Sequence, residues 1–304
     1  MESIKSNLKT TLAELKAILD KVKDPCVDDW DPIHVGLLLS KLEYDDLDVD
    51  FYRNLFIEIA DKLARKISRK HHVKDQVLEV SRVFSGDLDF KGDQGNYYNI
   101  KNSFLSDILV RRKGIPVSLS LVYMGFCRHV GIKAVGINFP GHFLVEVVPD
   151  KDSLCAVGSS EIAEDWTEKW YVDCFKSGDI ITNNECEKRL QSWTRGMIDF
   201  GPEVLKVAHP VEIISRMLRN LKAIFVEKED LPRLYWVLSA LIELCPNDSL
   251  DAYRERGLLM GRMGRYNLAT ADLKHYLEHS EDALRSVYVE SMLRIFENRS
   301  DEMN

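Results

Sequence analysis

The chain has 304 residues, of which 45% are hydrophobic and 30% charged, and a formal net charge of −8. That length is enough for more than one cooperative unit around a real core, and the balance of apolar and charged residues excludes a low-complexity or disordered class. The negative charge argues against nucleic acid as a partner, because that affinity comes mostly from neutralised phosphates, and no apolar run approaches the ~20 residues of a membrane span.

Residues 1–85 read as an N-terminal helical region. Ile4, Leu8, Leu12, Leu15, Leu19 and Val22 recur at steps of three and four, which makes one apolar stripe. The opening MESIKSNLKTTLAEL is thus an amphipathic helix and is not expected to be a signal peptide. Pro32 to Leu42 suggests a second helix, Phe51 to Ile67 a third, and Val77, Val80 and Phe84 a fourth that stops at Ser85-Gly86-Asp87. The segment LDFKGDQGNYYNIKN, with Gly92 and Gly95, reads as loop.

Residues 86–204 change character. Asn102 or Ser103 is expected to cap a short helix with Phe104, Leu105, Ile108 and Leu109 inward, its last turn holding Arg111-Arg112-Lys113 and its end set by Gly114. Pro116 can open the next helix, because the first turn has no use for its missing N–H. That helix runs to about residue 130 and stops at Gly131. AVGINF, HFLVEVV and KWYVDCF then read as short strands of a small antiparallel sheet, the first two joined by Pro140-Gly141. Residues 205–304 are helical again. Two stretches of about 35 residues align as degenerate helix-turn-helix units, with Gly257 and Ala269 at small-residue positions and Cys245-Pro246 closing the first. Two such units cannot bury their own faces and are expected to dock on the middle region.

The middle region carries the chemistry. A helix N-terminus stabilises a thiolate, an imidazole on a nearby strand takes its proton, and an acid on the next strand orients the imidazole. Here the helix start, His142 and Asp173 occur in that order. The six cysteines (Cys26, Cys127, Cys155, Cys174, Cys186 and Cys245) form no CxxC pair and read as reduced thiols of a cytoplasmic protein.

NYYNIKNSFLSDILVRRKGIPVSLSLVYMGFCRHVGI, NFPGHFLVEV and YVDCFKSGDIITNNEC, followed by NLKAIFVEKED and RERGLLMGRMGRYNLATADLKHYL, resemble the SirB-type family of transglutaminase-like proteins with C-terminal tetratricopeptide-like repeats. The likeness runs from about residue 30 to 290. It implies an α+β fold, mostly helical: a transglutaminase-like (papain-like) core of helix and small antiparallel sheet, and a tetratricopeptide-like tail. It also implies a scaffold whose activity is not established, because Gly-Ile-Pro stands where those enzymes have cysteine, so Pro116 occupies the nucleophile position.

Replacement nucleophiles are few. Cys127 lies about 16 Å up the helix at ~1.5 Å per residue, and strand alternation points Cys174 away from Asp173. Ser118 and Ser120 sit in the first turns, with Ser120 on the side of Pro116 and weaker than a thiol. Cys155 falls in a loop. Gly114, Ser120, Pro140 and Gly141 are expected to shape a binding cleft, and Arg216 and Arg219, with Lys222, make a basic stripe able to receive an acidic segment. His275 and His279 are four apart but lack a third ligand, so no metal and no cofactor are expected. His71-His72 reads as polar loop, and Asp45, Asp46, Asp48 and Asp50 as an acidic connection without the glycine or glutamate of a calcium loop. The leading expectation is a scaffold that binds a protein or peptide. The alternative is a hydrolase or acyltransferase using His142 and Asp173 with another nucleophile or a water.

Overall fold

The computed structural model describes residues 2–26, 30–67, 73–147 and 169–302. Cys155 and the pair His71-His72 lie outside the described residues. The fold is α+β and mostly helical, and it divides into two compact units: Ala17–Ile213, and Met1–Lys16 together with Ile214–Asn304.

In the first unit, helices α2 (Pro32–Lys41), α3 (Val49–Ala64) and α4 (Val73–Arg82) stand where the apolar spacing predicts them. Asp31 and Asp48 cap α2 and α3 by accepting backbone N–H groups, so part of the acidic connection is helix punctuation. Beyond α4 a single wide turn, Val83–Asp87, buries Val83 and Phe84. Phe84, Phe90 and Phe126 then form an aromatic core, with Phe56 stacked on Phe126 at 5.1 Å.

The supposed loop after residue 88 holds a short strand, β1 (Lys91–Gly92), paired in parallel with β2 (Lys113–Gly114). Helix α5 (Leu105–Arg111) is capped differently from the sequence expectation. Asn102 is already committed: its Nδ2 donates to the Asn96 carbonyl at 2.8 Å and its Oδ1 accepts from Arg111 at 3.0 Å. Phe104 therefore occupies the N-cap, and Arg112, at φ +62°, ends the helix in place of Gly114, which is drawn into β2.

Helix α6 (Pro116–His129) is buried from Pro116 to Cys127, and Gly131 (φ +78°) follows its end. It packs on an antiparallel sheet of order β3 (Ala134–Ile137), β4 (Leu144–Val147), β5 (Tyr171–Asp173), β6 (Asp179–Ile181). The other side of the sheet receives α7 (Asn183–Thr194), with Cys186 and Leu190 against Ile137, Leu144 and Tyr171. Both β6 and α7 escaped the sequence reading, although Thr182 and Glu185 form a capping box that announces α7.

The second unit contains α8 (Pro210–Glu227, from Ile214 on), α9 (Leu231–Leu244), α10 (Pro246–Arg262), α11 (Tyr266–His279) and α12 (Ala283–Asp301), of which α9 to α12 pack consecutively. Gly257 admits Leu273 and the Ala269 carbonyl closely, since a Cβ would lie 2.7 Å from Leu273. Helix α1 (Glu2–Leu19) contributes its first part here, with Leu15 fully buried and Lys16 donating to the Glu243 carbonyl at 3.0 Å. Leu15→Ala is accordingly expected to weaken the second unit by about 2–5 kcal/mol, the usual cost of a cavity at a buried leucine. Hydrogen exchange would read it. Loss of protection confined to residues 17–213 would refute the assignment.

Candidate functional site

Phe139-Pro140-Gly141-His142 is a turn whose residues dictate its shape. Proline presets the second position, Gly141 takes φ +70°, and the His142 N–H donates to the Phe139 carbonyl at 3.0 Å. Proline followed by a left-handed glycine is the signature of a type II turn. His142 thus belongs to the turn, two residues ahead of β4, rather than to the strand itself. Asp173 ends β5 as expected and caps the following short turn, accepting the Lys176 N–H at 3.1 Å.

The structure brings these two residues together. His142 Nε2 lies 2.8 Å from Asp173 Oδ1, with 8% and 0% of the side chains exposed. The other carboxylate oxygen, Oδ2, accepts from Arg189 Nη1 at 2.6 Å. Burial by itself would raise the Asp173 carboxyl. The bond to His142 and its charge, the Lys176 N–H and the Arg189 guanidinium outweigh that and hold it below the usual carboxylate range. Because Asp173 takes Nε2, Nδ1 is the imidazole nitrogen left without a hydrogen-bond partner among the described residues. Two rings meet the imidazole edge-on: Trp193 at 5.4 Å and Phe175 at 6.2 Å. Arg189 and Trp193 are four apart on α7 and so share a face. Sequence reasoning missed both. Recognising the Thr182–Glu185 capping box would have revealed their helix.

At the start of α6, Pro116 is the first helical residue and is buried. Gly114 fits because a Cβ there would lie 2.9 Å from Ser118 Oγ, and its partner Gly92 leaves room for Phe175, whose ring and carbonyl a Cβ would strike. Since Phe175 also touches His142, two contacts tie the strands beside Pro116 to the imidazole. Ser118 is spent on structure: its Oγ accepts the Ile115 N–H and donates to the Asn102 carbonyl at 2.6 Å. Ser120 is fully buried beside the Cys174 thiol, and no hydrogen bond joins it to His142 or Asp173 among the described residues.

No described cysteine with a resolved shift is tuned toward thiolate. Burial pushes Cys127 and Cys174 well up and Cys186 up to about 12, while Cys26 is raised by burial and by Asp24. Arg216 is half-buried and Arg219 exposed, both in the second unit. Lys222, the third member of the basic stripe, is paired with Glu255 at 2.9 Å, which weakens the stripe as an open anion receptor. His279 Nδ1 approaches the His275 carbonyl, and His275 lies against Tyr253 at 4.0 Å. Among the described residues there is no group of three or more side chains able to hold a metal ion. None of the described helices is long and apolar enough to cross a membrane. A cavity of about 390 Å³ at the far end of α6, lined partly by Trp30, Met124 and Arg128, includes neither His142 nor Asp173.

The profile of the transglutaminase-like superfamily matches residues 50–219, and that of the tetratricopeptide repeat matches residues 221–294. A UPF0162 protein of Xylella fastidiosa is 27% identical over 263 residues, spanning 84% of this chain and 88% of that protein. A UPF0162 protein of Pasteurella multocida is 23% identical over 257 residues, 79% of this chain and 89% of its own. The F-box only protein 21 of Mus musculus is 27% identical over 232 residues, which cover 71% of this chain but 33% of that much longer protein. No solved structure matches the chain.

Proposed function

The chain belongs to the transglutaminase-like superfamily and carries tetratricopeptide repeats, and from that premise we propose that it is a cytoplasmic scaffold which binds a protein or peptide and does no thiol chemistry. One observation carries the reading: buried Pro116 opens α6 at the position where a helix dipole would activate a thiol. The states of the neighbouring groups support it. Ser118 is consumed by backbone hydrogen bonds, Ser120 is buried against Cys174, and the Cys127, Cys174 and Cys186 thiols are pushed up by burial. Tetratricopeptide repeats supply extended surfaces for protein recognition.

A second reading keeps chemistry without a protein nucleophile. The His142–Asp173 pair, with Nδ1 unpartnered, has the form of a general base that could activate a water on an ester or amide. A panel of ester and amide substrates, tested with wild type and with His142→Ala, separates the two. The scaffold reading expects no turnover that differs between the proteins. Hydrolysis abolished by His142→Ala would replace it with the hydrolase reading.

A further inference from the structure

The aromatic contacts around His142 extend well beyond it. Tyr98 meets Tyr97 at 5.3 Å, Tyr97 meets Phe175 at 5.9 Å, Phe175 meets His142 at 6.2 Å, His142 meets Trp193 at 5.4 Å, and Trp193 meets Phe139 at 5.9 Å. Every contact is edge-on, and together they form one unbroken line of rings across the first unit. The line is open to solvent at Tyr98, which is 59% exposed, and at Trp193, 43% exposed, and it closes on Phe139, which is buried. Past the end of α7 come Met197, 82% exposed, and Ile198, 41% exposed. Trp193 packs one side on buried Phe139 and leaves the rest to solvent, while Phe84, Phe90 and Phe126 form a separate aromatic core. Half-exposed aromatic and methionine side chains in a row are instead the composition of an interface centre, where large rigid side chains gain most from being covered.

Charge selects the occupant. In a chain of net charge −8, cations stand close in sequence to these rings: Lys101 is three residues past Tyr98, Lys176 directly follows Phe175 and Arg195 is two past Trp193. All three are exposed and have no ion-pair partner among the described residues, whereas Lys66, Lys91 and Arg111 nearby in sequence are paired with Asp87, Asp89 and Asp93. Asp179, four residues past Phe175, and Asp199, beside Ile198, are exposed acidic exceptions. Below the ledge the Asp173 carboxylate is 0% exposed and bound to His142 and Arg189, so it offers no negative charge to a ligand.

We propose that the Tyr98–Tyr97–Phe175–Trp193 ledge over His142 is the docking surface for an acidic peptide segment with aromatic or aliphatic side chains, which the rings cover and the cations attract. The proposal rests on the scaffold reading and narrows it to one face of the first unit.

The test pans the full chain against a phage-displayed library of random peptides, with Tyr98→Ser/Trp193→Ser as the competing decoy. Both positions are exposed, so the decoy is expected to fold. Selected peptides should combine carboxylates with aromatic or aliphatic residues. They should lose about tenfold or more in affinity to the decoy, in line with the truncation of two interface anchors. Lys176→Glu/Arg195→Glu, which leaves the rings in place, should weaken the same peptides, and added salt should weaken them further. Enrichment of basic peptides, selection that ignores the decoy, or tighter binding of a short oligo-dT probe than of any selected peptide would each overturn the proposal. So would an empty selection. Lysate proteins retained by the tetratricopeptide helices in that last case would leave the scaffold reading standing without this surface.

Discussion

Replacing Asp173 by alanine is expected to destabilise the first unit by about 3–5 kcal/mol, the cost of breaking a buried ion pair from one side. The loss does not come from the absent carboxylate alone. Arg189, only 22% exposed, would keep its charge with no acceptor at the distance that Oδ2 now provides, and the Lys176 N–H would lose its cap. Asp173→Asn retains the shape and an acceptor oxygen and should cost less. The pH dependence has a definite sign. Folding holds this carboxyl below its ordinary value, so the unfolded chain takes up the proton first as pH falls. The contribution is fully present above about pH 4, near the ordinary aspartate pKa, and is lost as pH drops through the lower folded value. Urea denaturation of wild type and Asp173→Asn between neutral and acid pH should therefore show the two curves converging at the acid end. A difference that grows toward low pH would contradict this assignment of the charges.

Pro116→Cys is expected to create a thiol of unusual reactivity. The new side chain would stand at the first position of α6, where unpaired N–H groups favour an anion. The contacts through Gly92 and Phe175 connect that end of the helix to His142. An imidazolium opposite the thiol would depress its pKa further below the ~8.5 of a free thiol. Iodoacetamide should then label the new cysteine at about pH 6, where ordinary thiols are almost wholly protonated. The buried Cys127, Cys174 and Cys186 should stay slow under the same conditions. Adding His142→Ala should remove much of the low-pH labelling while leaving the contribution of the helix terminus. If the folded variant titrates like a free thiol whether or not His142 is present, Pro116 and His142 do not face each other. The reading of Pro116 as a vacated nucleophile position would fall with it. Renewed turnover is not required, because oxyanion donors and a substrate pocket are separate acquisitions.

Much of this was legible in local patterns. The three- and four-residue spacing of Leu12, Leu15 and Leu19, the proline that opens α6, the glycine after it and the Pro140-Gly141 turn each depend on residues a few positions apart. A linear sequence carries such information completely. The order of Pro116, His142 and Asp173, read against the family pattern, located the candidate site. Elsewhere tertiary contacts decided. Asn102 could not cap α5 because Arg111 and Asn96 had already claimed its amide, and Gly114 did not end that helix because Gly92 drew it into a strand. Arg189 and Trp193, the residues that lock Asp173 and cover His142, come from a helix that begins at Asn183, beyond the last predicted strand KWYVDCF. The physical reason is common to all of these. A helix stripe or a turn is specified by its own neighbours, whereas an ion pair or a ring contact is specified by whichever distant side chain the packed core delivers to it. That delivery also assigned residues 1–16 to the unit of the C-terminal helices, a partition that no spacing within the chain records.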